Sequence, residues 1–188
     1  MLNTYYKILV LLFDIAKKFF KQGSLSPSTQ LRCVQRIITR VPMIVGSASD
    51  TGTDRGVRQF VEIIHKISEK HSLSSFKLAA IYSEVSVERL KDMVSEGKCI
   101  EGLNGRTNAS NEILERTNKV VAVMNAEPFR EALRHGADVI IAGRSSDCAL
   151  FAAPLLEVGH SPAISYYAGK LMECASFCAT PYMAKESI

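Results

Sequence analysis

Val139-Ile140-Ile141-Ala142-Gly143-Arg144-Ser145-Ser146-Asp147 joins an unbroken apolar run to a short polar cluster through a glycine. Val139, Ile140 and Ile141 are β-branched, so they lose side-chain freedom in a helix and pack well on a pleated surface. An apolar run without alternation fits a strand covered on both faces, as in parallel sheets layered between helices. Three further runs have the same character: Pro42–Val45, Lys77–Tyr82 and Val120–Met124. Each is followed by small or polar residues and then by apolar residues at helical spacing. Val57, Phe60, Val61, Ile64 and Ile67 mark the first helix, with Asp54 as its N-cap. Val87, Leu90, Met93 and Val94 mark the second, and Phe129, Ala132 and Leu133 the third, with Pro128 at its first position. This alternation predicts an α/β fold, an open, mostly parallel β-sheet flanked by helices.

Upstream, Ile8, Leu11, Leu12, Ile15 and Phe19 recur at helical spacing, which predicts an amphipathic N-terminal helix over residues 1–22. Its apolar core, Ile8–Phe13, is bracketed by Lys7, Asp14, Lys17 and Lys18 and lacks a cleavage site. It is far shorter than the roughly 20 residues that span a bilayer. Packing on the domain is the favoured reading, and binding at a membrane surface the lesser one. Residues 23–30, with Gly23, Pro27 and three serines, read as a linker, and residues 31–188 as the α/β domain. That domain opens on a helix, Leu31–Thr39, with Leu31, Val34, Ile37 and Ile38 on one side.

An apolar content of 47% with 22% charged residues excludes a disordered chain. The net charge of +4 is spread among acidic residues, with no basic stripe interleaved with aromatics, which argues against nucleic acid. Five cysteines, Cys33, Cys99, Cys148, Cys174 and Cys178, form no C-x-x-C pair. An odd set of this kind fits reduced thiols in a cytoplasmic protein. Asn108-Ala109-Ser110 reads as a helix cap rather than a glycosylation acceptor.

Ligands of open parallel sheets bind outside the carboxyl ends of the strands. The loops there are Gly46–Asp54, Ser83–Val85, Asn125–Glu127 and Gly143–Asp147. Gly46 and Ser47 begin a loop rich in small hydroxyl residues. It either lets a ligand approach the backbone or simply turns into a capped helix. Arg144 can clamp a carboxylate or phosphate, with Asp147 to orient it or take a proton, or the two can form an ion pair across the loop. Lys170, Glu173, Cys174 and Cys178 share the last helical segment. Lys170 lies one turn from Cys174 and would favour its thiolate, although a packing cysteine is the commoner case. No spacing of cysteine and histidine suggests a metal site. His65, His71 and His135 read as surface or helix-end residues, and His160 as a weak candidate in a turn.

Two motifs at these positions resemble the acyclic terpene utilisation protein family. The first is Met124-Asn125-Ala126-Glu127-Pro128, followed by Ala132-Leu133-x-x-Gly136-Ala137-Asp138-Val139-Ile140-Ile141-Ala142-Gly143-Arg144-x-x-Asp147. The second is Ala168-Gly169-Lys170-x-x-Glu173-Cys174, and Val41–Ala48 resembles the strand and loop of one subgroup. The likeness runs from Arg40 to Thr180. Ser49, Thr53, Asn125 and Ala175 stand where the family favours glycine. Family members run to several hundred residues, so a truncated product, a fragment or a degenerate paralogue is expected.

The resemblance implies catabolism of branched acyclic terpenoids and related acids, with the cofactor unassigned. It suggests a protein that binds a small carboxylate or acyl-CoA. Gly46, Ser47, Asn125, Glu127, Gly143, Arg144 and Lys170 would contact the ligand. Asp147 and Glu173 would supply acid–base function, with Cys174 nearby. The alternative is a non-catalytic binding or assembly module, working as a homo-oligomer or with a complementing chain.

Overall fold

The computed structural model describes residues 42–73 and 75–173. The elements run β1 (Met43–Val45), α1 (Asp54–Lys70), β2 (Leu78–Ile81), β3 (Glu84–Val85), α2 (Val87–Ser95), α3 (Asn111–Glu115), β4 (Val120–Val121), α4 (Glu127–Arg134), β5 (Val139–Ala142), α5 (Asp147–Glu157) and α6 (Pro162–Glu173). The N-terminal helix expected over residues 1–22, the linker over 23–30 and the helix Leu31–Thr39 lie outside the described residues. So do Cys33, Cys174 and Cys178.

The Val139–Ala142 run is the central strand. β5 lies between β1 and β2 and is parallel to both, with Ile44 opposite Ile140 and Ala80 opposite Ile141. Its side chains alternate between two apolar layers. Val139 and Ile141 meet Val57, Ile64 and Ile67 of α1 on one face. Ile140 and Ala142 meet Phe129 and Ala132 of α4, and Ala149, Phe151 and Ala153 of α5, on the other. Both faces are covered, which is why the run shows no polar alternation. Each isoleucine buried this way stabilises the fold by about 1.5–3 kcal/mol.

The Val120–Met124 run departs from the parallel strand expected of it. Val120 and Val121 pair antiparallel with Val85 and Glu84 in a separate two-stranded ribbon. Met124 makes an isolated parallel bridge to Ser145. The loops beyond the strand ends hold this backbone: Ala122 N–H donates to the Ser83 carbonyl at 2.8 Å and Met124 N–H to the Arg144 carbonyl at 2.9 Å. The segment is therefore held beyond the sheet rather than within it.

Helix ends follow local chemistry. Thr53, rather than Asp54, caps α1, its Oγ1 accepting the Gly56 N–H at 3.4 Å. Asp54 instead takes the first helical position and turns its carboxylate to the Glu84 N–H. Ser110 caps α3 by accepting the Ile113 N–H at 3.3 Å, and Pro128 sits in the first turn of α4. α4 is tied to α5 by Arg130 and Arg134, which both bond Glu157, at 3.1 and 3.0 Å. α5 and α6 form a hairpin in which Gly169 lies against the Cys148 backbone. This returns the end of α6 to the start of α5. Among the described residues, no helix is long and apolar enough to cross a membrane.

Candidate functional site

Three strand-end loops meet beyond β5, and hydroxyl groups join them. The buried Ser83 Oγ donates to the Gly52 carbonyl at 3.0 Å and accepts the Arg144 N–H at 2.7 Å. Arg144 N–H also lies 3.1 Å from the Gly52 carbonyl. Ser145 is buried as well; its Oγ accepts the Ser47 N–H at 3.2 Å, while Ser47 N–H also lies 2.9 Å from the Gly143 carbonyl. The backbone groups of these loops thus satisfy one another, which burial demands.

Gly46 and Gly143 owe their identity to this closeness. A side-chain carbon on Gly143 would collide with Ser83 Oγ, and one on Gly46 with Ser145 Oγ and the Leu150 side chain. Ser47, Ser49 and Asp50 take left-handed backbone angles, with φ of 47°, 58° and 67°. Each costs on the order of 1 kcal/mol in an L-residue, and strain of this kind concentrates at ligand clamps and switch regions.

Arg144 extends its side chain back over the first loop, with Nη1 3.4 Å from the Asp50 carbonyl. Among the described residues, no carboxylate lies within ion-pair distance of its guanidinium. The ion pair with Asp147 is therefore not formed. Asp147 is exposed at the first position of α5, where its charge complements the positive end of the helix. The side chain of Ser146, the N-cap of that helix, makes no capping bond and instead lies 3.2 Å from Cys148 Sγ.

A second polar group gathers on the α4 side of β5. Asn125 and Glu127 lie at the start of α4, and Tyr166 of α6 places its hydroxyl 2.8 Å from Asn125 Oδ1. Burial pushes the Tyr166 phenol above its ordinary range, and the Glu127 and Cys148 side chains add to the effect. Lys170 pairs with Glu173 one turn further along α6. Glu173 is nearly covered, its side chain 10% exposed, while Lys170 is open to solvent. Cys174 lies outside the described residues.

The predicted positions therefore fall into neighbouring groups. Gly46, Ser47 and Gly143 knit the loop seam, and Arg144 projects from it. Asn125 meets Tyr166, with Glu127 two residues further on at the start of α4, and Lys170 meets Glu173. Sequence reading missed Tyr166, Ser83 and Ser145. Tyr166 carried a usable signal, because Tyr166, Lys170 and Glu173 follow one helical face at i, i+4 and i+7. Ser83 and Ser145 lie in two of the strand-end loops singled out from the sequence, but nothing local marked them individually, since their partners lie 31 to 98 residues away in the chain. A cavity of about 550 Å³ lies apart from both groups, between β2 and α4, lined by Leu78, Ala79, Ile81, Pro128, Ala132 and Ala137 among others. It borders the sheet edge rather than the polar loops.

The family model described as acyclic terpene utilisation family protein AtuA matches residues 27–187. Neither the curated proteins nor the solved structures yield a match.

Proposed function

The chain belongs to the acyclic terpene utilisation family, and on that premise we propose that it is a cytoplasmic catabolic protein that binds a small carboxylate or acyl-CoA beyond the carboxyl end of β5. One observation carries the reading: the Arg144 guanidinium projects from a hydrogen-bonded loop seam without a carboxylate partner among the described residues. A planar cation held this way suits bidentate recognition of a carboxylate or phosphate. Ligand contacts from Gly46, Ser47, Asn125, Glu127, Gly143 and Lys170 belong to the same proposal, as do acid–base roles for Asp147 and Glu173 with Cys174 nearby.

Thermal-shift measurements against short branched acids and their CoA thioesters test it. A saturating ligand should raise the melting temperature by on the order of 5 °C. Arg144→Ala should abolish the shift. No shift with any probe, or the same shift in parent and variant, overturns the reading.

A second reading is a binding or assembly module. Its support is an exposed apolar stripe on α6, formed by Ile164, Tyr167 and Leu171 at i, i+3 and i+7.

A further inference from the structure

Tyr166 reaches from α6 to the turn that opens α4, where its hydroxyl oxygen lies 2.8 Å from Asn125 Oδ1. A phenol has one proton to give and an oxygen that accepts. An amide oxygen only accepts, so the phenol donates its hydrogen to Asn125 Oδ1. Burial and the negative charge of Glu127 both oppose the phenolate, so the proton stays in place through the neutral range. An amide whose oxygen is held in this way resists the half-turn that would exchange its oxygen and nitrogen. Its Nδ2 then faces away from Tyr166, and among the described residues it donates to no acceptor. Asn125 is exposed, so those two hydrogens are available to a ligand.

We propose that Tyr166 is a positioning residue, which fixes the Asn125 amide so that Nδ2 donates to an oxygen of the bound ligand. That oxygen belongs to a free carboxylate or to a thioester carbonyl. The assignment rests on the ligand reading above and deepens it, since it gives the site a directed neutral donor in addition to the Arg144 cation. Tyr166 acts through Asn125 and does not itself touch the ligand.

Calorimetric titration of the full chain with 3-methylbutanoate and, separately, with its CoA thioester tests the proposal and distinguishes the two sources of the oxygen. Tyr166→Phe keeps the ring packing and removes the hydroxyl. It should weaken binding about five- to tenfold, the effect of one hydrogen bond. Asn125→Ala should weaken it at least as much, and adding Tyr166→Phe to Asn125→Ala should cost nothing more. Asn125→Asp keeps an acceptor for Tyr166 but has no donor, so it should lose binding while melting like the parent. An unchanged affinity in Tyr166→Phe, or additive losses in the double variant, overturns the proposal. If neither probe binds the parent, the ligand reading fails by itself. The positioning claim is then decided by the Asn125 side-chain amide signals in nuclear magnetic resonance. A shift of that pair in Tyr166→Phe supports it, and an unmoved pair overturns it.

Discussion

Ser83 shows how much a single hydroxyl can organise at a strand end. Its Oγ donates a hydrogen bond to the Gly52 carbonyl and accepts one from the Arg144 N–H, so two loops with no sequence proximity share one buried atom. Gly143 permits that contact by having no side chain. Gly143→Ala should therefore push the loops apart at a cost of about 1–3 kcal/mol. Chemical denaturation would show this as a lower midpoint with an unchanged slope, and an unchanged midpoint would contradict the packing described. Arg144 differs in kind. Its guanidinium makes one long bond to a carbonyl, so Arg144→Ala should remove ligand stabilisation with little effect on the unliganded fold. That residue was legible in the sequence as a polar side chain just past a buried strand. Tyr166 was legible only as a helical neighbour of Lys170 and Glu173, because the link to Asn125 spans 41 positions.

At the scale of elements, the β3–β4 ribbon is held to α1 by carboxylates. Asp54 N–H donates to Glu84 Oε1 at 3.0 Å, and Glu84 N–H donates to Asp54 Oδ1 at 3.2 Å. Lys119 bonds the other Glu84 oxygen at 2.6 Å. The Lys119 hydrogen bond is the chief reason that the Glu84 carboxyl lies below its ordinary value; burial opposes it, and the Asp54 N–H helps. A carboxylate depressed on folding contributes stability above its unfolded value, and this contribution disappears as pH falls through the folded one. Glu84→Gln should thus melt below the parent at neutral pH, and the gap should close as pH falls below about 4.5. A gap that is constant from pH 7 to pH 3 would show that the charge has no role. The ribbon also explains why Val120–Met124 could not be read correctly from its composition. An apolar run identifies a strand-forming segment, but its partner depends on backbone groups supplied by other loops, here Ser83 and Arg144.

For the whole molecule, the apolar stripe on α6 has a definite consequence under the assembly reading. Ile164, Tyr167 and Leu171 are between 41% and 69% exposed, so association should bury them. Light scattering over a tenfold concentration range should then reveal a species larger than the monomer, and Tyr167→Lys should shift it toward the monomer. A parent that stays monomeric throughout would sink that reading and leave the ligand-binding one standing. The sequence by itself determined the layered α/β architecture and the reading of Val139–Ala142 as a strand covered on both faces. Continuous β-branched runs and helical periodicity are local patterns, and a strand covered on both faces has few other ways to hide its side chains. It also determined that Gly143, Arg144 and Asp147 lie just past that strand. Only the tertiary structure decided that β5 lies between β1 and β2, that Asp147 stands apart from Arg144, and that Tyr166 joins Asn125. Those outcomes depend on side chains and backbone groups brought together from distant parts of the chain, and no local pattern records which of them meet.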